Sequence, residues 1–126
     1  ALSVAAYLGN REIVELLLAR GAQTDRAHRE MFVCDVQGTA LVFACGKGFV
    51  DMAALLLDHG ADVNKASDKK EDAETPLFYA SANGHTALVE LLLARKANVN
   101  AHNDHSNALF KACNRGHADV VAVLLK

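Results

Sequence analysis

Three adjacent leucines recur along the chain inside the same eight-residue setting. They stand in Glu15-Leu16-Leu17-Leu18-Ala19-Arg20-Gly21-Ala22, in Ala54-Leu55-Leu56-Leu57-Asp58-His59-Gly60-Ala61 and in Glu90-Leu91-Leu92-Leu93-Ala94-Arg95-Lys96-Ala97. A fourth copy begins at Ala122-Val123-Leu124-Leu125. At about 100° per residue, three consecutive leucines cover more than half of a helix's circumference, so one apolar neighbour cannot bury them. Such a helix needs cover on both flanks. A segment with that need, repeated in order, specifies a stack of one supersecondary unit in which each copy covers the next.

A second marker precedes each leucine run: Leu2-Ser3-Val4-Ala5-Ala6-Tyr7-Leu8-Gly9, Leu41-Val42-Phe43-Ala44-Cys45-Gly46-Lys47-Gly48, Leu77-Phe78-Tyr79-Ala80-Ser81-Ala82-Asn83-Gly84 and Leu109-Phe110-Lys111-Ala112-Cys113-Asn114-Arg115-Gly116. Thr39, Thr75 and Asn107 stand where a side-chain oxygen caps the first turn of a helix, and Pro76 follows at a position where its missing N–H is harmless. The terminal glycine of each marker suits a left-handed residue that turns the chain back. Each unit therefore reads as a short inner helix, a tight turn and an outer helix, the latter at about Glu12–Arg20, Val50–His59, Thr86–Arg95 and Ala118–Lys126. The small pairs Ala5/Ala6, Ala44/Cys45, Ala80/Ser81 and Ala112/Cys113 mark where inner helices approach one another closely.

Taken with Thr75-Pro76 and the Gly-Ala-Asp-Val-Asn run at 60–64, these segments resemble the ankyrin repeat, whose signature is T-P-L-H-x-A with a period of about 33 residues. The resemblance covers nearly the whole chain. It implies an all-α solenoid of stacked helix-turn-helix units with protruding hairpin-like finger loops. About three and a half repeats are expected in a single domain, 1–126, at about 1–27 (partial), 28–66, 67–101 and 102–126 (partial). A fragment of a longer array is the expected context. Gly9, Gly48, Gly84 and Gly116 stand 39, 36 and 32 residues apart, so the helices align while the connectors vary.

Departures from the pattern are informative. The signature histidine is replaced by Ser3, Val42, Phe78 and Phe110, and the proline by Ala40 and Ala108, which exchanges a polar contact for apolar packing. Lys96 stands where Gly21 and Gly60 end their helices, and a left-handed lysine costs about 1 kcal/mol. The connector after Lys96 is the shortest, so a shifted register between the third and fourth units is expected.

Composition narrows the function. Thirteen basic and fifteen acidic residues leave a net charge of −2, so no general field gathers phosphate backbones or anionic lipids. Nucleic acid is not an expected partner. The apolar runs fall far short of the roughly 20 residues that cross a bilayer, and the N-terminus has no signal-peptide pattern. Three cysteines without C-x-x-C spacing fit reduced thiols rather than a disulfide framework or thiolate metal site. An intracellular, cytoplasmic location is expected, with the nucleus as the alternative.

No Gly-rich phosphate loop, Ser/His/Asp set or recurrent carboxylate pair is present, so no catalytic role and no cofactor is assigned. Cys45 and Cys113 share a repeat position with Ala6 and Ser81 and read as packing residues. Cys34 lies in a connector with nothing beside it to lower its pKa. His85 and His117 follow the turn glycines and fit the Gly-His pair of ankyrin units. His102 and His105 bracket Asp104, but without a third spaced ligand a solvated finger is the better reading than a metal site. Asn64 and Asn100 are read as ties within their turns, with asparagine hydroxylation as the lesser alternative that the resemblance adds.

The connectors say more. Arg26 to Asp35 holds Met31-Phe32-Val33-Cys34, an apolar cluster that no repeat rule demands; it either folds back on the stack or stands out as an anchor. The finger from Lys65 to Glu74 is charged with both signs. The resemblance implies a concave face, made of fingers and inner helices, that binds other proteins. The expected function is a non-catalytic protein-binding scaffold, with Tyr7, Leu8, Met31 and Phe32 as apolar anchors and Lys47, Asn83, Asn114 and Arg115 supplying polar selection. The alternative is a regulatory or targeting arm of a larger enzyme or channel, acting in cis.

Overall fold

Each unit starts where a side-chain oxygen meets a first-turn amide. Thr39 Oγ1 accepts from the Val42 amide at 3.4 Å, Thr75 Oγ1 from Phe78 at 3.2 Å, and Asn107 Oδ1 from Phe110 at 2.8 Å. These bonds satisfy amides that have no partner inside the helix. Pro76 opens its helix at the first position. All three caps match the sequence expectation.

The computed structural model describes residues 2–21, 39–65, 74–100 and 107–125. Among these the order is α1 (Leu2–Tyr7), α2 (Arg11–Ala19), α3 (Ala40–Lys47), α4 (Val50–Asp58), α5 (Pro76–Ala82), α6 (Thr86–Ala94), α7 (Ala108–Asn114) and α8 (Ala118–Leu124). No strand occurs among the described residues. Met31, Phe32, Cys34, His102, His105 and most of the charged finger lie outside them.

The turn inside each hairpin is built four times in the same way. The amides of Asn10, Phe49, His85 and His117 donate back to the carbonyls of Ala5, Ala44, Ala80 and Ala112 at 2.9–3.0 Å. That reach across a left-handed residue closes a helix C-terminus. The turn glycine at Gly84 has φ +73, and a Cβ there would lie 2.7 Å from Nδ1 of His117. Conformation and space both demand glycine at that place. At the end of α6 the left-handed residue is Lys96, at φ 65, the one non-glycine residue of positive φ among those described.

The inner helices α1, α3, α5 and α7 lie side by side, the outer helices α2, α4, α6 and α8 form a second row, and each inner helix packs on its own outer partner. Leu41, Leu77, Leu56, Leu88, Leu92, Val14, Val89 and Val120 fill the space between the rows. The small residues Ala6, Ala44, Cys45, Ala80, Ser81 and Ala112 are fully buried where inner helices meet. Cys113 is the correction: it is exposed. Its counterparts Cys45 and Ser81 are covered by the following unit, and no described residue follows α7 on that flank. Phe110 is corrected for the same reason, being 57% exposed where Phe78 is buried at 6%.

Candidate functional site

The inner helices turn Leu41 and Ala44, Leu77 and Ala80, and Leu109 and Ala112 toward the outer row. At about 100° per residue, the third, sixth and seventh places of each marker fall on the opposite side. That face carries Tyr7 and Leu8, then Phe43, Gly46 and Lys47, then Tyr79, Ala82 and Asn83, then Lys111, Asn114 and Arg115. Leu8 is 70% exposed; Lys47, Asn83, Asn114 and Arg115 are exposed as well.

One rule governs this face at every joint: the seventh-place residue of a unit reaches back to the sixth-place residue of the unit before it. Lys47 holds its Nζ 4.4 Å from the Tyr7 ring centroid. Asn83 Nδ2 donates to the Gly46 carbonyl at 3.1 Å. Arg115 Nη1 donates to the Ala82 carbonyl at 3.3 Å and to Asn83 Oδ1 at 3.5 Å. The histidines after the turns reinforce the ladder. His85 Nε2 lies 3.4 Å from the Gly46 carbonyl and His117 Nε2 3.0 Å from that of Ala82; since a carbonyl only accepts, Nε2 carries the proton in both bonds. The last joint repeats the pairing of the joint before it, so the expected register shift between the third and fourth units is not present.

Aromatic packing runs beside this ladder. Tyr7 meets Phe43 edge-to-face at 5.8 Å between centroids, a geometry favoured by the ring quadrupoles. Lys111 Nζ stands 5.7 Å from the Phe78 centroid.

The same architecture is found in known proteins. A family model for ankyrin repeats, three copies long, matches residues 1–67 and again 65–126.

The chain belongs to the ankyrin repeat family.

Among its relatives, the ankyrin repeat and KH domain-containing protein mask of Drosophila melanogaster is 42% identical over 108 residues, 86% of this chain and 2% of the relative. Mask-1 of Caenorhabditis elegans is 35% identical over 127 residues, spanning the whole of this chain and 5% of its own length. The E3 ubiquitin-protein ligase XBAT33 of Arabidopsis thaliana is 39% identical over 95 residues, 75% of this chain and 18% of the ligase. The chain thus spans only a small part of the curated relatives it matches.

In this ankyrin stack the eight residues singled out from sequence separate into three groups. Tyr7 and Lys47 are brought together, as are Asn83 and Arg115, all by inter-unit contacts; Leu8 and Asn114 project without a described bond; Met31 and Phe32 lie outside the described residues. Lys111 was missed. It sits at the third place of its marker, not at the helix end, and the series Phe43, Tyr79, Lys111 at that place was the available signal. Asn64 is also corrected in part: its Oδ1 accepts from the Asn98 amide of the next ankyrin unit at 2.7 Å. The ties within the turns come from Asp62 and Asn98, whose Oδ1 atoms accept from the amides of Asn64 and Asn100 at 2.9 and 3.0 Å. The loss of the signature histidine is matched by burial of Val42 and Phe78. Cys45 has no ionisable role, because burial pushes its thiol far above the ordinary range. Among the described residues no group of three or more His, Cys, Asp or Glu side chains is placed to hold a metal ion.

Proposed function

We propose that residues 1–126 act as one non-catalytic module that binds a partner protein through the inner-helix and finger face. Ankyrin repeats in general mediate protein–protein interaction and the family is generally non-catalytic. The observation that carries the reading is a contrast within each unit. Caps, turns and core positions repeat from unit to unit, whereas the sixth and seventh places read Tyr7-Leu8, Gly46-Lys47, Ala82-Asn83 and Asn114-Arg115. Constant geometry with variable display is what a recognition surface requires. Lys47, Asn83 and Arg115 are also held by the neighbouring unit, which lowers the ordering cost of binding. Met31 and Phe32 are assigned to the same partner as apolar anchors from the long first finger.

Leu8 and Asn114 are the clean probes, since neither makes an inter-unit bond among the described contacts. Immobilised chain is used to capture partners from a cell extract, and Leu8→Ala with Asn114→Ala is compared with the native sequence. Reduced retention with an unchanged thermal midpoint is expected. Equal retention of every captured protein by the double variant would remove this face from the function.

A second reading places the module as a regulatory or targeting arm of a larger protein, acting in cis. It is favoured by the small share of each relative that this chain spans, XBAT33 being named a ubiquitin ligase. Under this reading the double variant changes the activity of the parent protein in the absence of any captured partner. We place the module inside the cell, in the cytoplasm or nucleus, on the strength of the free thiols of Cys45 and Cys113. No described helix is long and apolar enough to cross a membrane.

A further inference from the structure

The two rows of helices differ in their carboxylates. On the outer row Arg11 and Arg95 are ion-paired, Arg11 Nε lying 2.8 Å from Glu15 and its Nη1 3.7 Å from Asp51, and Arg95 Nη2 2.6 Å from Asp58. The inner helices α1, α3, α5 and α7 contain no aspartate or glutamate at all. Lys47 and Lys111 are on those helices and Arg115 directly follows α7. None of these three has a carboxylate within ion-pair distance among the described residues. The described carboxylate just before α5, Glu74, already has a partner of its own.

The three cations are also held in place. Lys47 is fixed over Tyr7 and Lys111 near Phe78, while Arg115 is anchored through Nη1. A guanidinium has five N–H donors, so that anchoring leaves donors for a second acceptor. In a chain with a net charge of −2 the inner helices and their C-terminal ends thus present a surface on which every described charge is positive and is already ordered by neutral neighbours.

Resting on the protein-binding reading above, we infer that the partner is an acidic polypeptide segment with a neutral middle. Lys47 belongs to the second unit and Lys111 and Arg115 to the fourth. The third unit between them displays only Tyr79 and Asn83, since Ala82 is buried. Neighbouring helices stand about 10 Å apart, so the two cationic ends are roughly 20 Å apart, a distance that about six residues of extended chain cover. Two acidic clusters spaced by about that length match the face. A single-stranded nucleic acid fits less well, because base stacking needs an open aromatic face. Here an ammonium stands over the Tyr7 ring, Phe43 and Phe78 are buried, and the exposed Phe110 offers a single ring at the end of the described stack.

The test uses a fluorescein-labelled peptide with two Glu-Glu pairs separated by four neutral residues, the same peptide with Gln for Glu, and an oligouridylate. Each is titrated with the 126-residue chain by fluorescence anisotropy at about 50 mM and about 300 mM salt, a range over which screening of exposed charges rises steeply. The glutamate peptide binds more tightly than its glutamine counterpart at low salt, and the difference shrinks at high salt. Lys47→Gln, Lys111→Gln and Arg115→Gln each weaken it about two- to fivefold, whereas Arg20→Gln on the outer side leaves it unchanged. Circular dichroism confirms that every variant is folded; because Lys47 is exposed, its variant decides the matter even if loss of the Arg115 anchor loosens the last joint. Equal binding of the two peptides overturns the acidic partner, yet leaves the module standing if capture remains sensitive to Leu8→Ala and Asn114→Ala. Oligouridylate that binds at least as tightly, through the same three cations, overturns a peptide partner in favour of a phosphate polymer.

Discussion

Ser81 is fully buried and its hydroxyl has no hydrogen-bond partner among the described residues. A buried donor without a partner costs on the order of 1 kcal/mol or more, and the counterparts Ala6 and Cys45 show that a small apolar side chain fits the site. Ser81→Ala is expected to raise stability by about 1 kcal/mol, read as a higher midpoint in thermal or urea unfolding; a lower midpoint would mean that the hydroxyl has a partner after all. Thiol chemistry separates two other residues of the same series. Cys113 is exposed and Cys45 buried, so Cys113 is expected to react with iodoacetamide in the folded chain and Cys45 only on unfolding, a difference that mass spectrometry of the alkylated peptides reads directly. The sequence placed both cysteines at one repeat position and so assigned both to packing. Burial at that position belongs to the following unit, and identity of position cannot reveal whether that neighbour is there.

At the scale of a helix, the legible features were those closed within a few residues. The Thr39, Thr75 and Asn107 caps and the four turn glycines each join groups no more than five positions apart, so residue type and spacing specify them. Lys96 was legible for the same reason. At φ 65 it occupies a region that L side chains enter at a cost of about 1 to 2 kcal/mol. Lys96→Gly is therefore predicted to stabilise the chain by up to about 1 kcal/mol, the remainder being offset by the greater freedom of glycine in the unfolded chain. No gain in urea midpoint would show that the strain is already relieved locally. The ladder of seventh-place to sixth-place contacts was not legible. Its partners lie more than thirty positions apart, and lysine, asparagine and arginine meet the previous unit by different chemistry, so no residue pattern announces it.

Across the whole molecule, stability is carried by units and by the joints between them. The Asn64–Asn98 bond is one such joint on the finger side. Asn64→Ala leaves the Asn98 amide without its acceptor and is expected to cost about 1 kcal/mol. In hydrogen exchange the Asn98 amide should lose protection first, with the core amides of α4 and α6 following only modestly; uniform loss along the chain would instead assign Asn64 to the core of folding. The joints on the inner face have a different consequence. Lys47, Asn83 and Arg115 both display the surface and brace one unit against the next, so the side chains that set affinity also set mechanical stiffness. A variant selected for a new ligand at those three places will bend and breathe differently from its parent. Leu8 and Asn114 alone, of the described candidates, can be retuned while the spring constant of the stack stays as it was.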